Sequence, residues 1–517
     1  MSNDAALSPP LTLNGLPLVP AEVEHVARDH RRIVLSPRSR DAVAAARRAL
    51  EARLHDPDPH YGVNTGFGSL AKKRVPDNEL RKLQRNLVRS HAAGVGEPLR
   101  VEHVRATMLL LVASLSRGHS GVRLELCELI VAMLNAGLTP VVPSIGSVGA
   151  SGDLAPLAHI ACTLIGEGEI WRDGARVPAA EAIRAVGAEP VTLQAKEGLA
   201  LINGTHVMAA EGALLCQDFD RLFHAAIAAA AMSLDAYRGT DGPLDSRAHD
   251  IRGHTGGRHV ASEMRRMLHG SEIMTSHKAD DPRVQDPYSL RCVPYVLGAA
   301  HDLATTVRGA VRRELSAVTD NPLVFADATD DAVLVSAGNF HGMPIALPLD
   351  ALAVAIAHIA GMSERRAYLL LAAREPESRL NPYLTPKPGV QSGLMIAQYT
   401  AAACCNEIVQ LASPASVINL PTCAGVEDYN SFGPRSAAKA RRGIELAQRV
   451  IAIELLCAAQ GLEHHRPLRS GPGVERAFQG VRECSASVTD DRSLSDDIER
   501  LARAIHTGQF SMPTKGG

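Results

Sequence analysis

The sequence has few aromatic residues, a scattered set of cysteines and no excess of charge of either sign. Aromatic residues make up 3% of the 517 residues, with a single Trp. The nine cysteines form no CxxC pair and no His-spaced pattern, which argues against zinc motifs and a disulfide framework and leaves no predicted metal site. The net charge is −2 and the basic residues are dispersed, so no electrostatic footprint for nucleic acid or an anionic membrane is expected.

Long apolar runs and targeting signals are also missing. No run approaches the roughly 18 residues that a membrane span needs, so no membrane partner is predicted. The first five residues carry an early acid and no basic-then-apolar signal. With reduced, scattered thiols, these absences favour a soluble cytoplasmic protein. Its length favours two or three domains.

Helical periodicity dominates what is present. Strand signals are short and lie near Leu11–Leu18 and Glu169–Val177. Long apolar patterns of period 3.6 predict helices over Val122–Leu134, His206–Leu234, Tyr295–Val318, Leu349–Ala373 and Ala437–Gln460. We therefore expect a mainly α protein, with a mixed N-terminal domain over residues 1–200 and an elongated long-helix bundle over residues 201–517.

The tripeptide Ala150-Ser151-Gly152 carries the most specific chemistry in the chain. By itself it is an ordinary turn sequence. It can also cyclise, because the amide nitrogen of Gly152 can attack the carbonyl carbon of Ala150 in a strained turn. Loss of one water closes the ring, and loss of a second from Ser151 leaves an exocyclic methylene. The product, 4-methylideneimidazol-5-one (MIO), is an electrophile that no unmodified side chain supplies.

The residues around the tripeptide favour the second interpretation. Gly146 and Gly149 permit tight backbone conformations. Asp153 is a suitable N-cap for an apolar helix over 154–165, with Pro156 tolerated in its first turn. The N-terminus of that helix would place partial positive charge near the ring. A hydrolase nucleophile is not indicated, because Asp153 stands where GxSxG has its last glycine.

Tyr61–Gly68 is a glycine-rich loop with a phenol at its head. A phosphate cradle is disfavoured because the loop lacks a P-loop Lys and the GxGxxG spacing, and no strand precedes it. The loop is either a structural turn or a carrier of Tyr61 as a proton acceptor, provided that something lowers its pKa.

Further polar residues lie between the apolar helices. Tyr288 and Arg291 are three apart on one side of a helical turn, where Arg291 can bind a carboxylate or form a salt bridge within the bundle. Asn203 and the segment Asn339-Phe340-His341 are either functional groups or ordinary caps and core hydrogen bonds.

Two residues suggest a more specific binding role. His91, after Ser90, is a ligand or an ordinary core or surface residue. Glu407 lies in an apolar helical run, where a buried carboxylate needs a partner.

Taken together, these segments resemble the aromatic amino acid ammonia-lyase family, which comprises histidine, phenylalanine and tyrosine ammonia-lyases and related aminomutases. The likeness runs from the Tyr61 loop to the helix holding Glu407 and beyond, and Gly149-Ala-Ser-Gly-Asp-Leu-Ala-Pro156 is its most specific signature. The resemblance implies a homotetramer of mainly helical subunits, with each active site assembled from more than one chain. It implies that Ala150, Ser151 and Gly152 form MIO, and that the substrate is an aromatic amino acid.

The resemblance also implies roles for single residues. Tyr61 would remove a β-proton, and Arg291 would hold the substrate carboxylate. The residues expected around the prosthetic group and substrate are Asn203, Gln285, Tyr288 and Phe340.

The substrate is predicted from fewer residues. Ser90-His91 resembles the histidine enzymes, and His91 and Glu407 together can bracket an imidazole. One departure is Gly425-Val-Glu-Asp-Tyr429, where family members usually read Asn-Gln-Glu/Asp; Val426 removes a polar contact expected near the substrate.

The leading hypothesis is an MIO-dependent lyase that converts L-histidine to trans-urocanate. The alternatives are a tyrosine or phenylalanine ammonia-lyase and a tyrosine 2,3-aminomutase. Because of Val426 and Tyr429, a non-catalytic homologue that binds amino acids or serves in assembly is a third hypothesis.

Overall fold

The computed structural model describes residues 9–54, 59–71, 74–326 and 332–511. Most of these residues are helical, which confirms the prediction of a mainly α protein. The α-helices of the described residues, in chain order, are α1 (Pro20–Ala27), α2 (Pro37–Ala52), α3 (Leu80–His91), α4 (Val101–Leu115), α5 (Leu124–Asn135), α6 (Leu154–Leu164), α7 (Ala179–Ala185), α8 (Glu197–Ile202), α9 (His206–Ala236), α10 (Ser246–Arg252), α11 (Thr255–Leu268), α12 (Glu272–Thr275), α13 (Tyr288–Arg291), α14 (Val293–Glu314), α15 (Met343–Ala372), α16 (Met395–Leu411), α17 (Gly433–Glu463), α18 (Pro472–Cys484) and α19 (Ser495–His506).

The strands are short and form small separate sheets. In the described residues they are β1 (Leu11–Leu13), β2 (Ile33–Leu35), β3 (Val95–Pro98), β4 (Thr139–Pro140), β5 (Pro143–Ile145), β6 (Glu169–Arg172), β7 (Ala175–Pro178), β8 (Leu323–Ala326) and β9 (Ala332–Val335). β1 pairs with β2 in parallel, whereas β3 with β5, β4 with β6, β6 with β7 and β8 with β9 are antiparallel. Both predicted strand regions contain strands.

The chain forms two compact units. Unit 1 consists of Met1–Gln217, Arg308–Leu349 and Ala415–Ala438, and unit 2 consists of Asp218–Val307, Asp350–Pro414 and Lys439–Gly517. Within the described residues, the strands all belong to unit 1 and unit 2 is helical. The division into residues 1–200 and 201–517 stays a prediction, and each unit takes segments from more than one part of the chain.

The five predicted long helices are present, with shifted ends. The predicted helix over 295–318 is α14, which ends at Glu314, before the Asp320-Asn321-Pro322 breaker. The predicted helix over 349–373 begins earlier, since α15 starts at Met343 and carries Pro348 inside its first turns. Side-chain periodicity locates the middle of a helix better than its ends, because caps depend on contacts made elsewhere in the fold.

α15 requires one correction to the sequence analysis. Of the helices in the described residues, it is the one that is long and apolar enough to cross a membrane by length and composition. The expectation that no apolar segment approaches a span is therefore wrong for this helix, whose small residues extend the apolar stretch. More than half of its most apolar window is buried within the protein, and a single such helix is weak evidence for a span because core helices have the same composition. Its Asp350 is buried and pairs with Lys439 at 3.0 Å.

Unit 2 contains a buried ion pair between two of its long helices. Arg366 of α15 donates to both carboxylate oxygens of Glu454 in α17, at 2.5 and 2.8 Å, and both side chains are fully buried. Ser233 of α9 donates to the same carboxylate at 2.7 Å. Each buried charge here has a hydrogen-bonded partner of opposite charge, which offsets the cost of removing it from water.

Candidate active site

Three helices of unit 1 bring separate parts of the sequence together. α3, α6 and α8 pack against one another, so that the end of α3, the start of α6 and the end of α8 lie close. Gln84 of α3 strengthens this packing, because its buried Oε1 accepts from the backbone N–H groups of Gly198 at 2.9 Å and Leu199 at 3.3 Å in α8. This arrangement places His91, Ser151 and Asn203 at one location.

Asp153 occupies the predicted N-cap position of α6, but its side chain does not cap that helix. Oδ2 accepts from the N–H groups of Val207 at 2.9 Å and Met208 at 3.1 Å, in the first turn of α9. Oδ1 accepts from Ser147 at 3.0 Å. Burial raises the pKa of Asp153 to about 7, although its hydrogen bonds with Met208, Ser147 and Val207 oppose that shift. The predicted capping contact is therefore wrong, because tertiary packing offers the carboxylate a different helix.

Replacing Asp153 with alanine is expected to lower the free energy of unfolding by about 1–3 kcal/mol, because two buried N–H groups of α9 would lose their acceptor. The measurement is urea denaturation followed by circular dichroism. Asp153→Asn is the matched control, since its amide oxygen still accepts, and a smaller loss is expected. Equal stability of the alanine variant and the unmodified protein would contradict the assigned contact.

The backbone before the tripeptide is held by two hydrogen bonds. The carbonyl oxygen of Gly149 accepts from the N–H of Gly342 at 3.1 Å and from the hydroxyl of Ser431 at 2.9 Å. Gly149 has a φ of +68°, and a Cβ there would lie 2.1 Å from Ser431 Oγ. Glycine is required because only a residue without a side chain fits this close approach.

The backbone after the tripeptide is equally confined. Gly152 has a φ of +72°, and a Cβ on it would lie 2.2 Å from the carbonyl oxygen of Gly204. The next N–H, that of Asp153, donates to the same oxygen at 2.8 Å. The backbone is therefore held on both sides of the tripeptide, which limits the conformations that Ala150, Ser151 and Gly152 can adopt.

A cavity of about 430 Å³ in unit 1 opens onto this turn. That volume lies within the range of small-molecule sites. Five of the predicted residues line it: Tyr61, Ser90, His91, Ser151 and Asn203. The other lining residues are Gly66, Phe67, Gly68, Ser69, Leu70, Leu83, Asn86, Leu87, Leu154, Leu199, Ile202, Cys423 and Glu427. This lining is mostly apolar and, among the described residues, contains no Lys or Arg.

The Tyr61 loop packs against helix α2 through an apolar cluster. Val63 is fully buried against Ala46, Ala49 and Leu50 of α2. The Tyr61 hydroxyl accepts from the N–H of Gly68 at 3.5 Å. The loop thus presents the phenol to the cavity while its own backbone stays fixed.

The pKa of Tyr61 is raised, whereas its role as a proton acceptor was expected to require a lowered pKa. Burial raises it, the nearby carboxylate of Glu427 and thiol of Cys423 raise it further, and donation from Gly68 opposes the shift. The phenol is therefore a weaker acid than in water, and the corresponding phenolate is a stronger base.

His91 ends α3 and presents one ring nitrogen for binding. Its Nδ1 lies 2.8 Å from the carbonyl oxygen of Leu87, which can only accept, so Nδ1 carries the proton in the neutral ring. Ser90 donates to the same carbonyl at 3.1 Å. Nε2 is then the acceptor nitrogen that remains for a ligand.

Ser151 has polar partners on both its backbone and its side chain. Asn203 Nδ2 donates to the Ser151 carbonyl oxygen at 3.1 Å, and the Ser151 hydroxyl donates to Glu427 Oε1 at 2.6 Å. Asn203 Oδ1 is buried without a hydrogen-bond partner in the described part of the chain. A confined turn, a donor on its carbonyl oxygen and an orphaned amide oxygen beside it fit the MIO group that the tripeptide predicts.

Glu427 was missed as a functional residue by sequence reasoning. The available signal was the segment Gly425–Tyr429, in which the sequence pattern pointed to Val426 and Tyr429 as departures from the family and not to Glu427. In the structure Val426 is 61% exposed and is outside the cavity lining, whereas Cys423 and Glu427 line it. The role of Val426 in substrate binding stays a prediction.

Phe340 lies beside the tripeptide segment rather than in the cavity lining. It is half-buried and precedes His341 and Gly342, and Gly342 donates to the Gly149 carbonyl. His341 in turn contacts the backbone carbonyl of Tyr429 at 3.0 Å. The expected role of Phe340 near the prosthetic group stays a prediction.

Three other predicted residues belong to unit 2. Gln285 and Tyr288 are exposed, and the Arg291 guanidinium lies 4.7 Å from the centre of the Tyr288 ring. Tyr288 and Arg291 thus share one side of a helical turn, as their spacing predicts. Arg291 Nε is buried and has no hydrogen-bond partner among the described residues. No ion pair with another described residue accounts for this Arg, although burial raises the pKa of nearby Asp286 and the charge of Arg291 opposes that shift.

Glu407, also in unit 2, is not the buried carboxylate that the sequence predicts. Its side chain is 44% exposed, and both carboxylate oxygens accept from Arg442, at 2.7 and 3.1 Å. Hydrogen bonding to Arg442 lowers the pKa of Glu407. The expected burial is wrong because α16 exposes this face, and the required partner is supplied by α17.

Comparisons with known proteins agree with the geometry. The family model for aromatic amino acid lyase matches residues 18–483. The chain is 47% identical over 510 residues to a histidine ammonia-lyase of Anaeromyxobacter dehalogenans (strain 2CP-C), covering 97% of this chain and 99% of that protein.

Two solved structures have the same fold over nearly their whole length. Histidine ammonia-lyase from Trypanosoma cruzi has a TM-score of 0.89 at 37% identity, covering 97% of this chain and 94% of that one. Tyrosine aminomutase from Streptomyces globisporus has a TM-score of 0.91 at 34% identity, covering 97% and 98%. The chain belongs to the aromatic amino acid lyase family and is a carbon–nitrogen lyase.

Proposed function

We propose that this chain is a histidine ammonia-lyase that converts L-histidine to trans-urocanate and ammonia. The observation that carries the proposal is the placement of Tyr61, His91 and Ser151 around one cavity of about 430 Å³. The 47% identity to a histidine ammonia-lyase over 97% of the chain supports the same substrate.

Ala150, Ser151 and Gly152 are proposed to form MIO, held by the Asn203 amide on the Ser151 carbonyl. The group supplies an electrophilic carbon that makes the substrate nitrogen a better leaving group. Tyr61 is proposed to take the β-proton, and burial raises its pKa, which makes its phenolate a stronger base. The apolar lining limits water, which would compete for both groups.

The cavity of unit 1 supplies no cation for the substrate carboxylate among its described lining residues. Arg291, whose buried Nε has no hydrogen-bond partner among the described residues, is proposed for that role, and Gln285, Tyr288 and Phe340 are proposed to complete the site. The family resemblance assembles each site from several chains, and we propose a homotetramer.

Exposed apolar side chains support self-association. In unit 1, Val417, Ile418 and Leu420 are each at least 60% exposed, and α16 in unit 2 exposes Tyr399 and Val409. Such patches on a soluble chain mark interaction surfaces. Light scattering after gel filtration measures the assembly, and a monomer would contradict it.

A cytoplasmic location is proposed because all nine cysteines, each within the described residues, are free thiols.

Substrate choice is proposed to rest on His91 and Glu407. Replacing His91 with leucine is expected to lower kcat/KM for L-histidine by up to about tenfold, because one neutral hydrogen bond to the imidazole is lost. The measurement is formation of a conjugated acid in the ultraviolet. Asn86→Leu, in the same cavity lining, is the matched control. An unchanged kcat/KM in the His91 variant would remove His91 from substrate recognition.

A substrate panel tests the proposed function directly. L-histidine, L-tyrosine and L-phenylalanine are incubated separately, and the products are identified by ultraviolet absorption and mass. No turnover of histidine would overturn the proposal.

A second candidate, tyrosine 2,3-aminomutase, is supported by the TM-score of 0.91 to a tyrosine aminomutase and would give a β-amino acid. An intact mass equal to the unmodified sequence would leave only the non-catalytic alternative.

A further inference from the structure

The hydroxyl of Ser151 has a carboxylate partner to which neither the motif nor the proposed reaction assigns a role. Ser151 Oγ donates to Glu427 Oε1 at 2.6 Å, across 276 positions of sequence. The other carboxylate oxygen, Oε2, accepts from the hydroxyl of Thr422 at 3.1 Å. Both oxygens of Glu427 are thus engaged, one of them by the group that must leave when MIO forms.

The turn that carries Glu427 is rigid. Thr422 and Glu427 are joined by a backbone hydrogen bond from N–H to carbonyl at 2.8 Å. Between them, Cys423, Ala424 and Gly425 have φ values of +51°, +53° and +83°. Two non-glycine residues in the left-handed region are strained, and such strain persists only where surrounding contacts over-determine it. Together with the hydrogen bonds from Ser151 and Thr422, this turn holds the carboxylate beside the Ser151 hydroxyl.

The second dehydration has two chemical requirements. The Cα–H of Ser151 is weakly acidic, so the charge that develops on the adjoining carbonyl oxygen needs a donor. The Asn203 amide provides one at 3.1 Å. Hydroxide is also a poor leaving group, so Oγ needs a proton as the Cβ–Oγ bond breaks. A carboxylate already hydrogen-bonded to Oγ is positioned to deliver it.

We propose that Glu427 is the acid–base residue of this dehydration, and that Asn203 stabilises the charge on the Ser151 carbonyl. The inference rests on the proposed function, since it concerns how the chain makes MIO. The Glu427 carboxylate takes the proton from Ser151 Cα, and the C–H electron pair becomes the Cα=Cβ bond. The Cβ–Oγ pair leaves on oxygen, which receives the proton from Glu427. One water departs and Glu427 returns to its carboxylate form.

Glu427→Gln separates this role from a structural one. Glutamine keeps the length of the side chain and an oxygen that accepts from Ser151 or Thr422, but it cannot carry the proton. The rate of the second dehydration is expected to fall by about 10²- to 10⁴-fold. Asp428→Asn is the matched control, because Asp428 is an exposed carboxylate in the same turn and does not line the cavity.

The readout is the intact mass of the full-length proteins, with the altered peptide located by proteolysis, and the ultraviolet absorbance of the conjugated ring. The unmodified protein and Asp428→Asn are expected to lack two waters. Glu427→Gln is expected to lack one, with the ring closed and the Ser151 hydroxyl retained. Circular dichroism and thermal unfolding check that the variant is folded.

Three results would overturn the inference. One is a full two-water deficit in Glu427→Gln formed as fast as in the unmodified protein. A folded Glu427→Gln that has lost no water would place the residue at ring closure instead, and would also overturn it. If Glu427→Gln does not fold, Glu427→Ala replaces it, and a one-water deficit is expected because alanine cannot carry the proton. A complete two-water deficit at the first time point would be the third overturning result. By contrast, an unmodified mass in the parent protein overturns the proposed function itself.

Discussion

Replacing Ser151 with alanine is expected to lower kcat/KM for ammonia release from L-histidine by about 10³-fold or more. The methylidene carbon of the proposed group is Cβ of Ser151, and it forms when the Ser151 hydroxyl leaves as water. Alanine has no hydroxyl to lose, so the variant cannot form the methylidene. Loss of a single preorganised electrostatic contact already costs about 10²- to 10³-fold in other enzymes, and here the electrophile itself is removed. The measurement is the initial rate of urocanate formation by ultraviolet absorbance.

The matched control for this experiment is Ser69→Ala. Ser69 lines the same cavity, is exposed and lies in the short turn Gly68–Leu70, outside the tripeptide. Its variant is expected to retain activity near that of the unmodified protein. If Ser151→Ala retained the original kcat/KM, the electrophile would have to come from elsewhere, and the central assignment of the tripeptide would be wrong.

Replacing Tyr61 with phenylalanine is expected to lower kcat by about 10²- to 10⁴-fold, the usual contribution of a positioned general base. Phenylalanine keeps the aromatic ring, and only the hydroxyl is lost. KM is expected to change little, because the proposed substrate contacts are made by other residues. The measurement is steady-state kinetics on L-histidine, with intact mass confirming that the two-water deficit is unchanged.

The pH dependence supplies a second readout for Tyr61. Only the phenolate accepts a proton, and burial raises the pKa of Tyr61 above its ordinary value near 10. At neutral pH the free enzyme therefore holds mostly the phenol, and kcat/KM is expected to rise with pH by up to about tenfold per unit on the alkaline side of neutrality. This rise is expected to disappear in Tyr61→Phe. A residual rate in the variant that keeps the same slope would assign the base to another group.

The residues of the cavity show why sequence reasoning reached only part of the site. Tyr61, Ser151 and Asn203 belong to local patterns, since a glycine-rich loop, a cyclisable tripeptide and an amide between apolar helices can each be recognised from a few neighbouring positions. Glu427 has no such pattern. It acquires its significance from a hydrogen bond to a residue 276 positions away, and only the packed chain creates that contact.

Asp153 and Glu407 are residues whose contacts were predicted from neighbouring positions and proved different in the structure. Both were interpreted from their immediate neighbours, as a cap for the following helix and as a buried carboxylate. In the structure Asp153 accepts from α9 and Glu407 is half-exposed against Arg442. A carboxylate binds the best donor that the fold brings near, and long-range packing decides which donor that is.

The sequence by itself determined the helical class, the middle of each long helix, the reactive tripeptide and the family resemblance. These depend on composition, on a period of 3.6 residues and on the chemistry of consecutive residues, all of which are local properties. Only the tertiary structure decided which residues share the cavity, that Tyr61 has a raised pKa and that Ser151 faces Glu427. Distances and burial between remote segments decide those properties, and these segments meet only when unit 1 is folded.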